Sequence, residues 1–361
     1  MHELTPRFEV LEVRVVPSST YTWTGGGANN NWSTGTNWQG GVAPTSASTL
    51  VFGSGESQLT NVDDISGLSV AEIELAGGYS ISGASITLTG SGGVGIDNQT
   101  GTNIFNNPIT LGTNLTFTVD AGQLTLGGVI TGSQSLTKGG AGTLDLSAAN
   151  GYNGATTISS GTLQDGVANA LPTTTTLTVN GTGTFDLDGF AQTVAGLADG
   201  GVSTGTVTDS AAAATFTVND AAVNTFSGSL GGALALTKSG AGTLTLSNTN
   251  AYTGATTVNL GALLVDGLQS GSTVTVNSGA ILGGTNGTVG TISVSGGTVS
   301  PGAASAGPGI LKSGNVNFSS TSAFNVDLNG TLVGTGFDQL NATGAVRARK
   351  TIIVTHWLFC G

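Results

Sequence analysis

Along most of the chain apolar and polar residues alternate with a period of two. Leu115, Phe117 and Val119 are separated by Thr116 and Thr118. The same beat runs through Leu124/Leu126, Leu144/Leu146, Leu177/Val179, Phe185/Leu187, Phe216/Val218, Leu244/Leu246, Val274/Val276, Ile292/Val294 and Phe324/Val326/Leu328. Alternation of this kind places the apolar set on one face of a strand and Thr, Ser, Asn or Asp on the other. Threonine suits the outer face because its branched β-carbon favours extended backbone. Gly, Asn and Asp close each short run, supplying the backbone that turns need. No segment combines a helical period with caps; RFEVLEVRVV at 7–16 reads equally well as a strand.

A longer period lies over the short one. Residues 136–163 read LTKGGAGTLDLSAANGYNGATTISSGTL and residues 236–263 read LTKSGAGTLTLSNTNAYTGATTVNLGAL. The two align without a gap at an offset of 100, with 18 of 28 positions identical. Many short strands and turns are compatible with a sandwich, barrel, propeller or β-helix. Stacked rungs tolerate irregular turn lengths and repeated motifs better than closed sheets do, so the sequence predicts an all-β parallel β-helix. At roughly 20 residues per rung and ~4.8 Å between paired strands, residues 55–346 predict about 14 rungs in a column about 70 Å tall.

Composition narrows the picture. Of 361 residues 61 are glycine, and charged residues are only 8% against a usual value near 25%, which removes charge-patterned helical bundles and coiled coils. The formal net charge is −12. Between Val15 and Val346 the only basic residues are Lys138, Lys238 and Lys312; Arg7, Arg14, His2, Arg347, Arg349, Lys350 and His356 are all terminal. Without clustered cations the body is not expected to bind nucleic acid or an anionic membrane. Cys360 is the single cysteine, so no intramolecular disulfide and no thiolate metal site can form. No apolar run reaches the ~20 residues of a membrane helix, and the first twenty residues lack the layout of an ordinary secretory signal.

With these motifs in view, Leu136–Leu163 and Leu236–Leu263 resemble the autotransporter-associated β-strand repeat, loosely L-T-K-x-G-x-G-T-L-x-L-S-x-x-N-x-Y-x-G-x-T. The stretch 21–55, YTWTGGGANNNWSTGTNWQGGVAPTSASTLVFGSG, is similar to the entry segment before such repeats, and 301–346 is similar to their closing rungs. The resemblance implies a right-handed parallel β-helix (a pectin-lyase-like solenoid) at the cell surface, outer-membrane associated, or in the medium. It implies no shared catalytic residues. RFEVLEVRVVPSS (7–19) resembles an N-terminal motif of exported planctomycete proteins, with Val13 where that pattern has Asp. The expected organisation is therefore an export-type motif at 1–19 and a Trp/Gly/Asn-rich cap at 20–55 holding Trp23, Trp32 and Trp38. A β-helix follows at 56–346, then an aberrant tail at 347–361. The tail, RARKTIIVTHWLFCG, abandons the Gly/Thr/Leu pattern and reads as a frameshifted or truncated gene end, or as a genuine cap or anchor peptide.

Few residues invite chemistry. Asp186 and Asp188 in TFDLDG would lie on one strand face, about 7 Å apart, a spacing compatible with an inverting glycosidase pair. The simpler reading is a solvated outer face, since Phe185 and Leu187 take the inner one; the same holds for Glu72 and Glu74 beside Ile73 and Leu75. Asp63-Asp64 reads as a turn. Asp145 falls one residue off the calcium-nonapeptide pattern and Thr245 replaces it in the second copy, so no specific calcium site is expected. Lys138 and Lys238 share one repeat position and suggest pairing with turn carbonyls. Tyr152 and Tyr252 suggest packing against a turn rather than sugar stacking. The sequons at Asn98 and Asn114 are expected by chance in so Asn/Thr-rich a chain.

Catalytic, cofactor-binding and metal-binding residues are accordingly expected to be none, and no cofactor is implied. The leading expectation is a non-enzymatic, monomeric surface or secreted scaffold of adhesin type, without a membrane-spanning segment. Its partner would be a surface polysaccharide or another cell-surface protein. The alternatives are a carbohydrate-active β-helix enzyme using Asp186 and Asp188, or a non-functional gene fragment.

Overall fold

In the computed structural model, which describes residues 19–201, 204–269, 271–302, 307–349 and the backbone of 353–355, each strand pairs with the strand one rung further along the chain. Leu124 lies beside Leu144, Leu144 beside Leu163, Leu163 beside Phe185, Phe185 beside Val207 and Val207 beside Leu230. Every pairing between named strands among the described residues is parallel, and the strands gather into sheets of 12, 9, 8, 7 and 4. The result is the expected all-β parallel solenoid, of about 13 turns. A single 3-10 turn, Gly35–Asn37, is the one helical element among the described residues. The export-type motif expected at 1–19 lies outside the described residues except for its last position, as do residues 350–352 and 356–361 of the tail.

The period of two is what fills the interior. The stack Leu115–Leu136–Thr156–Leu177–Leu197 and its neighbour Phe117–Lys138–Ile158–Val179 point inward from one sheet, while Thr116–Thr137–Thr157–Thr178 forms a hydroxyl column outside. Because the register is fixed by side-chain parity, each rung adds apolar residues directly above those of the last. At the first rungs Trp23, Trp32 and Trp38 are all buried, with Trp38 edge-on to both other indoles and Phe52 tilted against Trp23 and Trp32. Their ring nitrogens donate to Gln58 O, Asn61 Oδ1 and Trp32 O, so the large apolar cluster leaves no indole N–H unsatisfied. Thr20–Thr22 pairs with Ser48–Phe52, which pairs in turn with Ser69–Ala76, so this segment is continuous with the solenoid. At the other end Val346–Ala348 pairs with Val316–Phe318, and Ile353–Thr355 with Ala323–Asn325, so pairing runs on past residue 346.

Candidate functional site: caged lysines, committed acids and an outer groove

The repeat motif encodes an internal polar cage. Lys138 sits at an inward position between Phe117 and Ile158 and is fully buried. Its Nζ donates to Gly139 O (2.6 Å), Gly140 O (2.8 Å) and Ser160 O (3.2 Å), the turn-carbonyl pairing that its sequence position suggests. Desolvation lowers its pKa to about 8, with Asp120 opposing. The glycines of the motif follow from the same cage. Gly140 has φ +74° and a side chain there would meet Val119 O at 2.3 Å; Gly161 has φ +65° and would meet Gly140 O at 2.4 Å.

Lys238 repeats the arrangement with one addition. It donates to Gly240 O and Leu260 O, and forms an ion pair of 2.7 Å with Asp220, both side chains fully buried. The offset of 100 equates Asp220 with Asp120, but the sheet register does not. Lys138 lies beside Phe117, so the next inward residue is Val119 and Asp120 is turned out. Lys238 lies beside Val218, so the next inward residue is Asp220. Parity alone places one acid inside and the other outside.

Tyr152 and Tyr252 are also internal. Each hydroxyl pairs with a buried threonine, Thr156 at 2.6 Å and Thr256 at 2.7 Å, which continue to Thr175 and Ser272. Neither ring is available to stack on a sugar.

The acids singled out by sequence are mostly structural. Asp186 ends its strand on the outer face, covered by the following rung, and accepts from Ser210 N (3.0 Å), Ser210 Oγ (2.6 Å) and Asp188 N (3.1 Å). Asp188 does not share that strand face. The strand stops at Asp186, and Asp188 lies beyond it in a left-handed turn at φ +45°. Asp63 is buried, accepting from Ile65 N and Asn107 Nδ2, and burial raises its pKa to about 6. Asp64 points outward and binds Ser33 N and Oγ. Glu72 and Glu74 lie outside with Asp97, and desolvation followed by repulsion from Glu74 and Asp97 raises the pKa of Glu72. Asp145 accepts from Thr125 and Ser147. Asn98 is buried and donates to Ala121 O, whereas Asn114 is exposed and accepts from Ser135 N. Among the described residues no three His, Cys, Asp or Glu side chains are placed to hold a metal, and no helix is long and apolar enough to cross a membrane.

Two features escaped the sequence reading. Asp165 is fully buried with neither carboxylate oxygen hydrogen-bonded, and desolvation holds its pKa well above the usual carboxylate range. The alternation Leu163/Asp165 already put it inward, and Val265 in the second copy marks it as the odd residue. The other is a groove of about 560 Å³ on the outer face between Val223 and Ser300. It has no sequence motif, being made where small residues replace larger ones in adjacent rungs.

Comparison with known proteins fits this architecture. The passenger-associated-transport-repeat family model matches residues 136–164 and 236–265. Over 156 residues the chain is 34% identical to the adhesin BmaC autotransporter of Brucella suis biovar 1 (strain 1330). That stretch is 43% of this chain and 5% of the relative, so the chain spans a small part of the protein it matches. No solved structure matches the chain. Two copies of the passenger-associated-transport repeat, a hundred residues apart, are thus built into one continuous parallel β-solenoid, an architecture similar to that of autotransporter passengers.

Proposed function

We propose that the chain serves as a rigid, non-enzymatic scaffold of adhesin type, displayed at the cell surface or released from it. The observation that carries this reading is the fate of the repeat's polar residues. Lys138, Lys238, Tyr152 and Tyr252 all turn inward, the lysines binding carbonyls of their own turn and of the next rung and the tyrosines binding buried threonines. What the repeat presents outward is a set of Thr and Ser columns on parallel sheets, a surface suited to spacing and display. The relative's description as an adhesin and autotransporter supports surface exposure. The glycosidase alternative loses its geometry, because Asp186 is engaged by Ser210 and Asp188 lies off the strand.

The test is surface labelling of the epitope-tagged chain on intact cells, together with adhesion of those cells to polysaccharide-coated and protein-coated surfaces. Antibody access and chain-dependent adhesion are expected. Confinement of the chain to the cytosol, or polysaccharide turnover abolished by Asp186→Asn with Asp188→Asn, overturns the reading.

A further inference from the structure

We infer that the outer groove between Val223 and Ser300 is a binding site for an extended, uncharged, β-linked oligosaccharide; this rests on the surface role proposed above and names its ligand. The strands Val223–Phe226, Thr243–Leu246, Gly261–Val265, Ala280–Gly284 and Thr298–Pro301 stack in this order in one parallel sheet. Their outward residues form one column Val223–Thr243–Ala262–Ile281 and a second, Thr225–Thr245–Leu264–Gly283–Ser300. A third rail, Ser247, Asp266 and Thr285, borders the groove where the strands end. The hollow exists because Ala262 and Gly283 interrupt columns otherwise filled by Thr, Leu and Ile.

The groove therefore runs along the solenoid axis, across the strands. Five strands at ~4.8 Å give a length of about 19 Å, and an extended sugar ring advances about as far as one rung, so about four rings fit in step with the protein. A pyranose chain offers apolar C–H faces and hydroxyl edges alternately. Leu264 and Ile281 supply an apolar floor for the first, and Thr243, Thr245 and the Ser247–Thr285 rail supply partners for the second. Asp266 is held in place by Thr285, whose N and Oγ1 donate to Oδ1 at 2.7 and 3.0 Å. Its Oδ2 accepts no protein hydrogen bond among the described residues and is free for a sugar hydroxyl. Charge selects the ligand class: the lining holds one carboxylate and no cation, and Lys238 of this region is turned inside. An acidic polysaccharide would meet like charge with nothing to offset it.

The experiment is titration of the full chain with cellohexaose and, in parallel, hexagalacturonate, by calorimetry and saturation-transfer NMR. Saturable binding of cellohexaose alone is expected. Ala262→Phe, which fills the hollow from a half-exposed position, weakens it at least about tenfold. Asp266→Asn weakens it several-fold without changing the circular dichroism melt, and Thr237→Phe on the neighbouring sheet leaves it unchanged. Absence of saturable binding, preference for hexagalacturonate, or equal affinity of native chain, Ala262→Phe and Asp266→Asn overturns the assignment. Surface labelling separates the two ideas. A chain displayed and adhesive, yet indifferent to Ala262→Phe, sinks the groove alone, whereas groove-dependent cellohexaose binding by a chain absent from the surface sinks the display role alone.

Discussion

Replacing Asp165 by valine should stabilise the protein. Asp165 closes the strand Thr162–Asp165 at an inward position beside Leu146 and is wholly buried. Neither of its oxygens has a hydrogen-bond partner. Burial of such a polar group without compensation costs about 1–3 kcal/mol. Valine is nearly isosteric with Asp, and Val265 occupies the same register beside Leu246 in the second copy, fully buried. A gain of about 2 kcal/mol is therefore expected even where Asp165 is neutral. Ionisation adds to it. The folded-state pKa is raised above the unfolded value of 3.8, by desolvation first and then by Asp186 and Asp145. The folded chain thus holds a proton that the unfolded chain releases, and stability is lost as pH rises above 3.8, by up to about 1.4 kcal/mol per pH unit until the folded pKa is reached. Asp165→Val should consequently gain more at pH 7 than at pH 4. Asp165→Asn should remove the same pH dependence with a smaller gain, since its amide stays unpaired. Urea unfolding followed by circular dichroism at several pH values, with hydrogen exchange of the amides in 143–186 to locate the effect, measures both quantities. A less stable valine variant, or an unchanged slope between pH 4 and 7, would refute the reasoning.

Four further outcomes follow from the same interior. Lys238→Met strands Asp220 as a buried unpaired charge and should cost about 3–5 kcal/mol, more than Lys138→Met, whose lysine bonds only to carbonyls; thermal melts of the two variants rank them. Lys138→Met should also abolish a rise in stability between about pH 8 and the ordinary lysine value of 10.5, the window in which only the unfolded chain keeps that proton. Asp63→Asn should flatten a decline in stability between the unfolded value of 3.8 and about 6, worth roughly 3 kcal/mol at most, read from unfolding midpoints across that range. Trp38→Ala empties a site packed by Tyr21, Trp23, Trp32 and Phe52, and should cost about 3–5 kcal/mol. Because rungs stabilise chiefly their neighbours, the accelerated hydrogen exchange should be confined to residues near 20–81 and leave 274–318 unchanged.

The period of two, the repeat at an offset of 100 and the scarcity of charge were enough to specify a parallel solenoid, because parity and strand stacking are local properties written residue by residue. They also marked Lys138, Lys238, Tyr152 and Tyr252 as structural through their shared repeat positions, whereas their place in the interior came only from the structure. The pairing of Lys238 with Asp220 was not legible. It depends on which residue of the preceding rung stands opposite the lysine, Phe117 in one copy and Val218 in the other, and a one-residue difference in register exchanges inside for outside. Asp188 was misplaced for a related reason, since alternation cannot announce where a strand ends and a left-handed turn begins. The groove needed the tertiary structure most. Ala262, Gly283, Asp266 and Thr285 are unremarkable in sequence, and only the stacking of five rungs sets them side by side. Sequence determines which face each side chain takes, whereas the lateral register between rungs decides which side chains meet.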